Sequence, residues 1–455
     1  MKWLSPITIA TAVALAAACG SSKASNSGSP SPDAGVMGDD DAAVTEASTG
    51  DGPAEAAPEP PDDGPWPASH FPLPLMVNQG GTVLTAPNIV TVTFAGNPDT
   101  AAVQTFDDAF AEGTTWWKAV TAGYGIGAAT AGGHYVLSDT VSHTSLDDDQ
   151  GQIGQLVTQA VGSGALPMPD ANTVFVLFFP STTTITLQGG QNCSSFGAYH
   201  DSVDLATEGG MLQVVYAVIA NCPAMGATDQ TMAETTDDVS HEVIEASTDP
   251  HSATGTATWS GYNDAWFRAP AAPGTVPPPS LLEVADVCQR NGAVTDTMGN
   301  VLARSWVNAA AMASSDPCQP EAPGEIFYSV AVPTTTAPSG MVEVPASEGY
   351  IVVKRGTTTT VDSVIFSEAK LPNDVEVSVG VRGAQGTTAL NPAIATGITT
   401  SVTPTAGHNG MHVTLTITVA STAKVGDYGN ATKVAVRAAL SSTDHHDWPF
   451  IIRVQ

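Results

Sequence analysis

Residues 173–179 read Thr-Val-Phe-Val-Leu-Phe-Phe. A run of strand length that is apolar on both faces must be covered on both sides, so it belongs in the middle of a sheet. Two further runs suit the same sheet, Asn88 to Ala95 and Met211 to Ala220. Between the strands the spacing changes. From Thr100 to Val120, the residues Val103, Phe106, Phe110 and Trp117 share one face of a predicted helix, and Gln152 to Val161 reads as a second. A Gly- and Ser-rich loop carrying Cys193, Tyr199 and His200 is expected between the last two strands. Strands alternating with helices predict an α+β or α/β domain over residues 70–322.

After Pro323 helical periodicity disappears. Thr/Val-rich runs recur at 349–354, 363–367, 375–379, 412–419, 433–439 and 449–454, separated by turn residues such as Pro372-Asn373-Asp374. About seven short strands predict an all-β sandwich of immunoglobulin type over residues 323–455. The stretch from Met411 to Ala439 is similar to the closing strands of bacterial Ig-like modules. Asp444-His445-His446-Asp447 is read as a polar turn before the last strand rather than as a metal site.

The N-terminus has a different character. Met1-Lys2 is a short basic start, Trp3 to Ala18 is apolar, and Cys19 follows three alanines directly. The apolar run is too short to span a bilayer and ends in the small residues a signal peptidase needs. Residues 1–19 are therefore expected to be a lipoprotein signal peptide, with Cys19 the lipidated residue. Residues 20–69 are rich in Ser, Pro, Ala, Gly, Asp and Glu, with acidic runs at 39–41 and 59–63. They have too few large apolar side chains to bury a core and read as a disordered acidic tether. The protein is then expected in the cell envelope, held outside the cytoplasm by lipid at an outer membrane or cell surface.

With 14 Lys+Arg against 45 Asp+Glu, the net charge is −31. Nucleic-acid binding relies on basic residues against phosphates, so no nucleic-acid partner is expected; cations are favoured instead. Four cysteines follow Cys19: Cys193, Cys222, Cys288 and Cys318. An oxidising compartment predicts two disulfides. Of three pairings, Cys193–Cys222 with Cys288–Cys318 closes the shortest loops and is preferred. A four-thiolate zinc site is disfavoured by the absence of close CxxC pairs.

One segment carries chemistry. Residues 240–250 read Ser-His-Glu-Val-Ile-Glu-Ala-Ser-Thr-Asp-Pro, on a helix predicted from about Asp229 and closed by Thr248-Asp249-Pro250. His241 and Glu245 are one turn apart on it and face the same way, with Glu242 beside them. This is the spacing of an HExxH zinc helix with Glu in place of the second His. In that arrangement His241 and Glu245 ligate a metal and Glu242 takes a proton from water. A third ligand is expected from Glu283 or Asp286, just before Cys288, with the other in a supporting position; His251 is the alternative. Oxygen-rich ligation leaves Zn2+ and Ca2+ both open. Other chemistry finds no support: there is no G-x-S-x-G elbow, and Gly123-Tyr124-Gly125-Ile126-Gly127 lacks the Lys of a phosphate loop. Asp147-Asp148-Asp149 reads as a solvated turn.

The order HEVIEASTDP, then Trp259, Tyr262 and Trp266, then EVADVC, resembles the Exordium or phosphate-induced protein family, and more closely secreted bacterial proteins with the same paired motifs. Trp116-Trp117-Lys118 and Arg304-Ser305-Trp306-Val307-Asn308 fit the same pattern. The resemblance covers roughly residues 85–320 and implies a secreted zincin-like domain. The expected function is a metal-dependent, peptidase-like hydrolase on a lipid anchor. The alternative is a non-catalytic adhesion or carbohydrate-binding protein with a structural metal. The partners expected are the membrane, through lipid, and a peptide or a cell-wall polysaccharide. Cys19→Ala is predicted to release the protein from membranes or block its processing; normal cleavage with retained membrane association, seen by fractionation, would refute the lipobox.

Overall fold

The computed structural model describes residues 64–455 apart from 74, 79, 112–113, 139–144, 225–226, 228, 252–258, 261–282, 289–291, 334–349, 383–389, 429–433 and 443. The leader with Cys19 and most of the acidic stretch lie outside the described residues, as do Tyr262 and Trp266. No described helix is long and apolar enough to cross a membrane.

The N-terminal half is built on a five-stranded sheet. In chain order its strands are β1 (Asn88–Phe94), β2 (Thr130–Leu137), β3 (Thr173–Phe179), β4 (Ala198–Thr207) and β5 (Gly210–Ala220). Their spatial order is β2-β1-β3-β5-β4, with β3 in the middle. The first four neighbours pair in parallel, and β4 closes one edge antiparallel to β5. Every residue of β3 is buried, as its unbroken apolar sequence requires. Val174, Val176 and Phe178 point into one core with Phe106, Phe110, Trp117 and Val243. Phe175, Leu177 and Phe179 point into another with Ile153, Val157 and Val161. The period-2 alternation of one strand thus serves helices on both faces of the sheet.

The helix predicted over 100–120 is two helices, α1 (Thr100–Ala111) and α2 (Thr115–Val120). The break falls where Thr114 accepts a hydrogen bond from the Trp117 amide and starts a new helix. Both tryptophans are buried; Trp116 Nε1 donates to the Ala303 carbonyl and Trp117 Nε1 to that of Gly127. On the other face, α3 (Gln152–Gly162) agrees with its expected extent. Asp147-Asp148-Asp149 is solvated only in part, with Asp149 exposed and Asp148 turned inward. Asp148 is buried, accepts from the Tyr199 hydroxyl at 2.7 Å and from the Ile153 amide at 2.9 Å, and so fixes the start of α3 to β4.

The C-terminal half consists mainly of antiparallel sheets, consistent with a β-sandwich. One sheet places Thr357–Ser367 between Tyr328–Ala331 and His412–Val419, with Ile398–Thr403 beyond. The other runs Val375–Arg382, Val434–Ala439, His445–Pro449. Alternate residues such as Val377, Val379, Leu415 and Ile417 share one core. The expected polar turn at Asp444–Asp447 is largely strand. His446 is half-buried, edge-on to Phe327 and Tyr328, and desolvation pushes its ring down to about 4. Asp447 takes a bidentate pair from Arg437. Asp444 is exposed, but His446 and Asp447 are partly buried against these partners, which composition alone does not distinguish. At the near end of the chain, Asn409 accepts from the Ala68 and Ser367 amides and donates to the Pro65 carbonyl. His70 stacks on Phe366 beside it, ring centroids 3.7 Å apart.

Both disulfides have the preferred pairing, Cys193–Cys222 and Cys288–Cys318. With ring closures of 29 and 30 residues, each is of the size that stabilises a fold by roughly 3 kcal/mol.

A buried acid makes part of the stability depend on pH. Asp107 on α1 is 1% exposed and accepts from the Thr91 hydroxyl at 2.7 Å. Burial pushes its carboxyl up to about 7, whereas an unfolded chain ionises it near pH 4. Between those values the folded state holds the additional proton, so this group's contribution falls as pH rises from about 4 to about 7. Asp107→Asn should flatten that slope, by on the order of 4 kcal/mol. Urea melts of both proteins at the two ends of the window test it; an unchanged difference between them would refute this assignment.

Candidate metal centre

Helix α4 (Met232–Thr248) carries the motif. Its start is a capping box: Thr231 accepts from the Glu234 amide and Glu234 accepts from the Thr231 amide. Its end is set by Asp249-Pro250, since proline disfavours a helical conformation in the residue before it. Ser247 and Thr248 bond back to the carbonyls of Val243 and Ile244, which lets polar side chains lie buried within the last turns.

From Val239 onward the helix is buried on all sides. One side packs on β4 and β5. The other meets residues 301–303, where the Val301 and Ala303 amides donate to the Thr236 and Ser240 hydroxyls. The segment Glu283–Cys288 closes over it: the Asp286 amide donates to Glu245 Oε1 at 2.9 Å, and the Trp306 amide to the Val284 carbonyl at 2.8 Å. The Cys288–Cys318 disulfide and buried Arg304, which donates to the Cys318 carbonyl and pairs with Asp316 and Glu325, brace that segment.

The predicted residues converge here. His241 Nε2 lies 3.1 Å from Glu245 Oε1 and 3.6 Å from Asp286 Oδ1. Glu283 is in the same cluster but on its other side, 3.6 Å from Nδ1 of His200. Glu242 is also there, its Oε2 3.4 Å from the same nitrogen. Two groups therefore have metal-ligating composition, His241/Glu245/Asp286 and His200/Glu245/Glu283, all buried and with ligand atoms within 4.8 Å of one another. His251 belongs to neither.

His200 was not expected in the site, because the loop around it was expected to continue to the next strand. In the fold the loop ends earlier and His200 is the third residue of β4, opposite Ala217 of β5. Ala198 and Ala217 belong to the core that holds α4, so His200 projects from the face of the sheet on which α4 packs. The small Ala217 leaves room for an imidazole between sheet and helix. The usable signal was the alternation Ala198, His200, Ser202, all buried, hidden by the polar residues between and after them.

The electrostatics follow from burial. Desolvation alone would lower the pKa of His200, but Glu283, Glu242 and Glu245 around it raise it well above the usual imidazole value. Burial raises Glu242 and takes Glu283 well above the carboxylate range. Glu245 moves the opposite way: burial opposes its charge, yet His241 beside it and His200 hold it below the ordinary value. Asp238, one turn earlier, is pushed up by burial to about 7. The cluster thus gathers four carboxylates and two imidazoles away from bulk water. Between Lys118 and Arg304 the chain's only lysine or arginine residues are Arg268 and Arg290, both outside the described residues.

A divalent cation suits this donor set. Ligands bound tetrahedrally at the zinc–nitrogen and zinc–oxygen distances stand about 3.4 Å apart, and the imidazole-to-carboxylate separations His241–Glu245, His241–Asp286 and His200–Glu283 run from 3.1 to 3.6 Å. Imidazole with carboxylates fits zinc and other divalent transition metals; a purely oxygen site would fit calcium better.

No family model matches the chain, and no curated protein matches it. Among solved structures it is similar to domains 4 and 5 of the S-layer protein SbsC at 13% identity and TM-score 0.17, over 29% of this chain and 53% of that one. It is also similar to the beta-glucosidase from Listeria innocua at 10% identity and TM-score 0.16, over 84% of this chain and 48% of that one. The chain thus spans about half the length of each, and these scores carry no argument about fold or function.

Position on α4 depends on its cap. Thr231→Ala removes one of the two capping hydrogen bonds and should cost about 1 kcal/mol in denaturant melts; no measurable loss would show that packing alone fixes the helix.

Proposed function

We propose that this protein is a metal-dependent hydrolase of the cell envelope, tethered by lipid at Cys19 and directed at peptide bonds. In this reading residues 70–322 form a zincin-like domain related to the Exordium-like secreted proteins, and residues 323–455 an Ig-like module that positions peptide or cell-wall polysaccharide. The observation that carries it is the meeting of His241, Glu245 and Asp286 at metal-ligand spacing with Glu242 beside them.

A cation held there, zinc being the best match, would supply Lewis acidity and make a nearby water a better acid. The protein's own part is to hold and move the proton. Glu242 accepts it on a carboxylate kept out of bulk water, where its raised pKa makes it a better base than an exposed glutamate. His200, 3.4 Å away, is placed to stabilise the charge on Glu242. The Asp286 amide keeps Glu245 turned towards His241.

The depth of the cluster favours a second reading. With His241, Glu242, Glu245, Glu283 and Asp286 each at most 8% exposed, a cation there could be structural in a non-catalytic adhesion or carbohydrate-binding protein, and calcium would then be admissible.

One variant separates the two. Glu242→Gln is isosteric and should keep the metal in either case. In a hydrolase it should lower peptide or casein hydrolysis by at least about a hundredfold, the usual scale of a lost general base. Unchanged turnover, or no chelator-sensitive hydrolysis in the wild type, would leave the structural reading standing. His241→Ala should lower bound metal by elemental analysis in both.

A further inference from the structure

We infer that the centre is built for two divalent cations bridged by Glu245, the second held by His200 and Glu283. This rests on the reading of His241, Glu245 and Asp286 as a cation site and extends it.

The geometry repeats itself about one residue. Glu245 is common to both three-ligand groups, and each of the other ligands belongs to only one. Each group offers one imidazole nitrogen, the shared carboxylate and one further carboxylate. His241 Nε2 to Asp286 Oδ1 is 3.6 Å, and His200 Nδ1 to Glu283 Oε2 is 3.6 Å, both the span of two ligands on one small ion. A carboxylate has two oxygens, so a single Glu245 can serve both positions. Bridged pairs of this kind hold their ions about 3.5–4 Å apart.

The orientation of His200 is independent support. Its Nε2 lies 3.1 Å from the main-chain oxygen of Asp249. A carbonyl only accepts, so Nε2 carries the hydrogen and Nδ1 is the nitrogen presented to Glu283 and Glu242. A ligating histidine characteristically donates its other N–H to a carbonyl or carboxylate, which fixes tautomer and ring plane. His200 has that support although it lies on a different element from the motif.

Glu242, Glu245, Glu283 and Asp286 are all buried at this point. Buried acids are costly without compensation, and a second dication between His200 and Glu283 would add to that compensation. Glu242, beside His200, then lies next to the second position as well as near the first.

The test uses the full chain, stripped with chelator and reloaded with Mn2+ alone or Zn2+ alone. Wild type should take up two equivalents by elemental analysis, and the Mn2+ form should give an exchange-coupled paramagnetic resonance spectrum. His200→Ala should fall to one equivalent and show an isolated Mn2+ spectrum, with circular dichroism reporting whether it remains folded. One equivalent in the wild type, with an uncoupled spectrum, overturns the bridged pair and leaves the single-ion site intact. Two equivalents without coupling overturn the role of Glu245 as the bridge. No uptake of either metal overturns both this inference and the reading it rests on. The wild-type spectrum decides the matter even if the His200 variant does not fold.

Discussion

Carboxylates taken out of water in one place impose a condition that the surrounding architecture has to meet. Glu242 and Glu245 lie on a helix buried on all sides, and Glu283 and Asp286 on a segment folded over it. Such a helix is stable only where its polar groups find partners. The hydroxyls of Thr236 and Ser240 take amides from the covering segment, and Glu245 takes the Asp286 amide. The cover is in turn tied down by the Cys288–Cys318 disulfide and by Arg304, whose guanidinium is buried against acidic partners. The chain places an unusual density of interactions on holding a few acids where they are.

The sheet accounts for how the site is shared between distant parts of the sequence. Parallel pairing of β1, β3 and β5 lines up strands that are each followed, sooner or later, by a helix on one face or the other. The antiparallel edge strand β4 then brings His200 under α4 from a position some forty residues earlier. A loop, a strand and a helix contribute between one and three groups each, and none of them would form a site alone.

Much of this was legible in the sequence, for identifiable reasons. The run Thr173–Phe179 could only be a central strand, and it is. The placement of His241 and Glu245 followed from one helical turn, and the position of Glu283 and Asp286 from the neighbouring cysteine; both disulfides pair as short loops suggest. What escaped were polar residues whose role is inward. His200 sits in a strand whose later half is only partly buried; Asp148 and His446 look like solvent-facing residues until their partners are known. Hydropathy separates buried from exposed by type, so a buried polar residue is visible only once the fold supplies its partner.

Asn409 occupies a position with a mechanical meaning. Its side chain clamps the backbone at Pro65 and Ala68 and, through the same oxygen, the Ser367 amide on the long strand of the C-terminal sheet. Residues 65–68 are thereby fastened to a strand with an antiparallel neighbour on each side, not to α1, α4 or the segment that covers the acids. Antiparallel ladders with many perpendicular hydrogen bonds resist a pull collectively. A load on residues 65–68 would meet that ladder before it met the residues that gather the carboxylates.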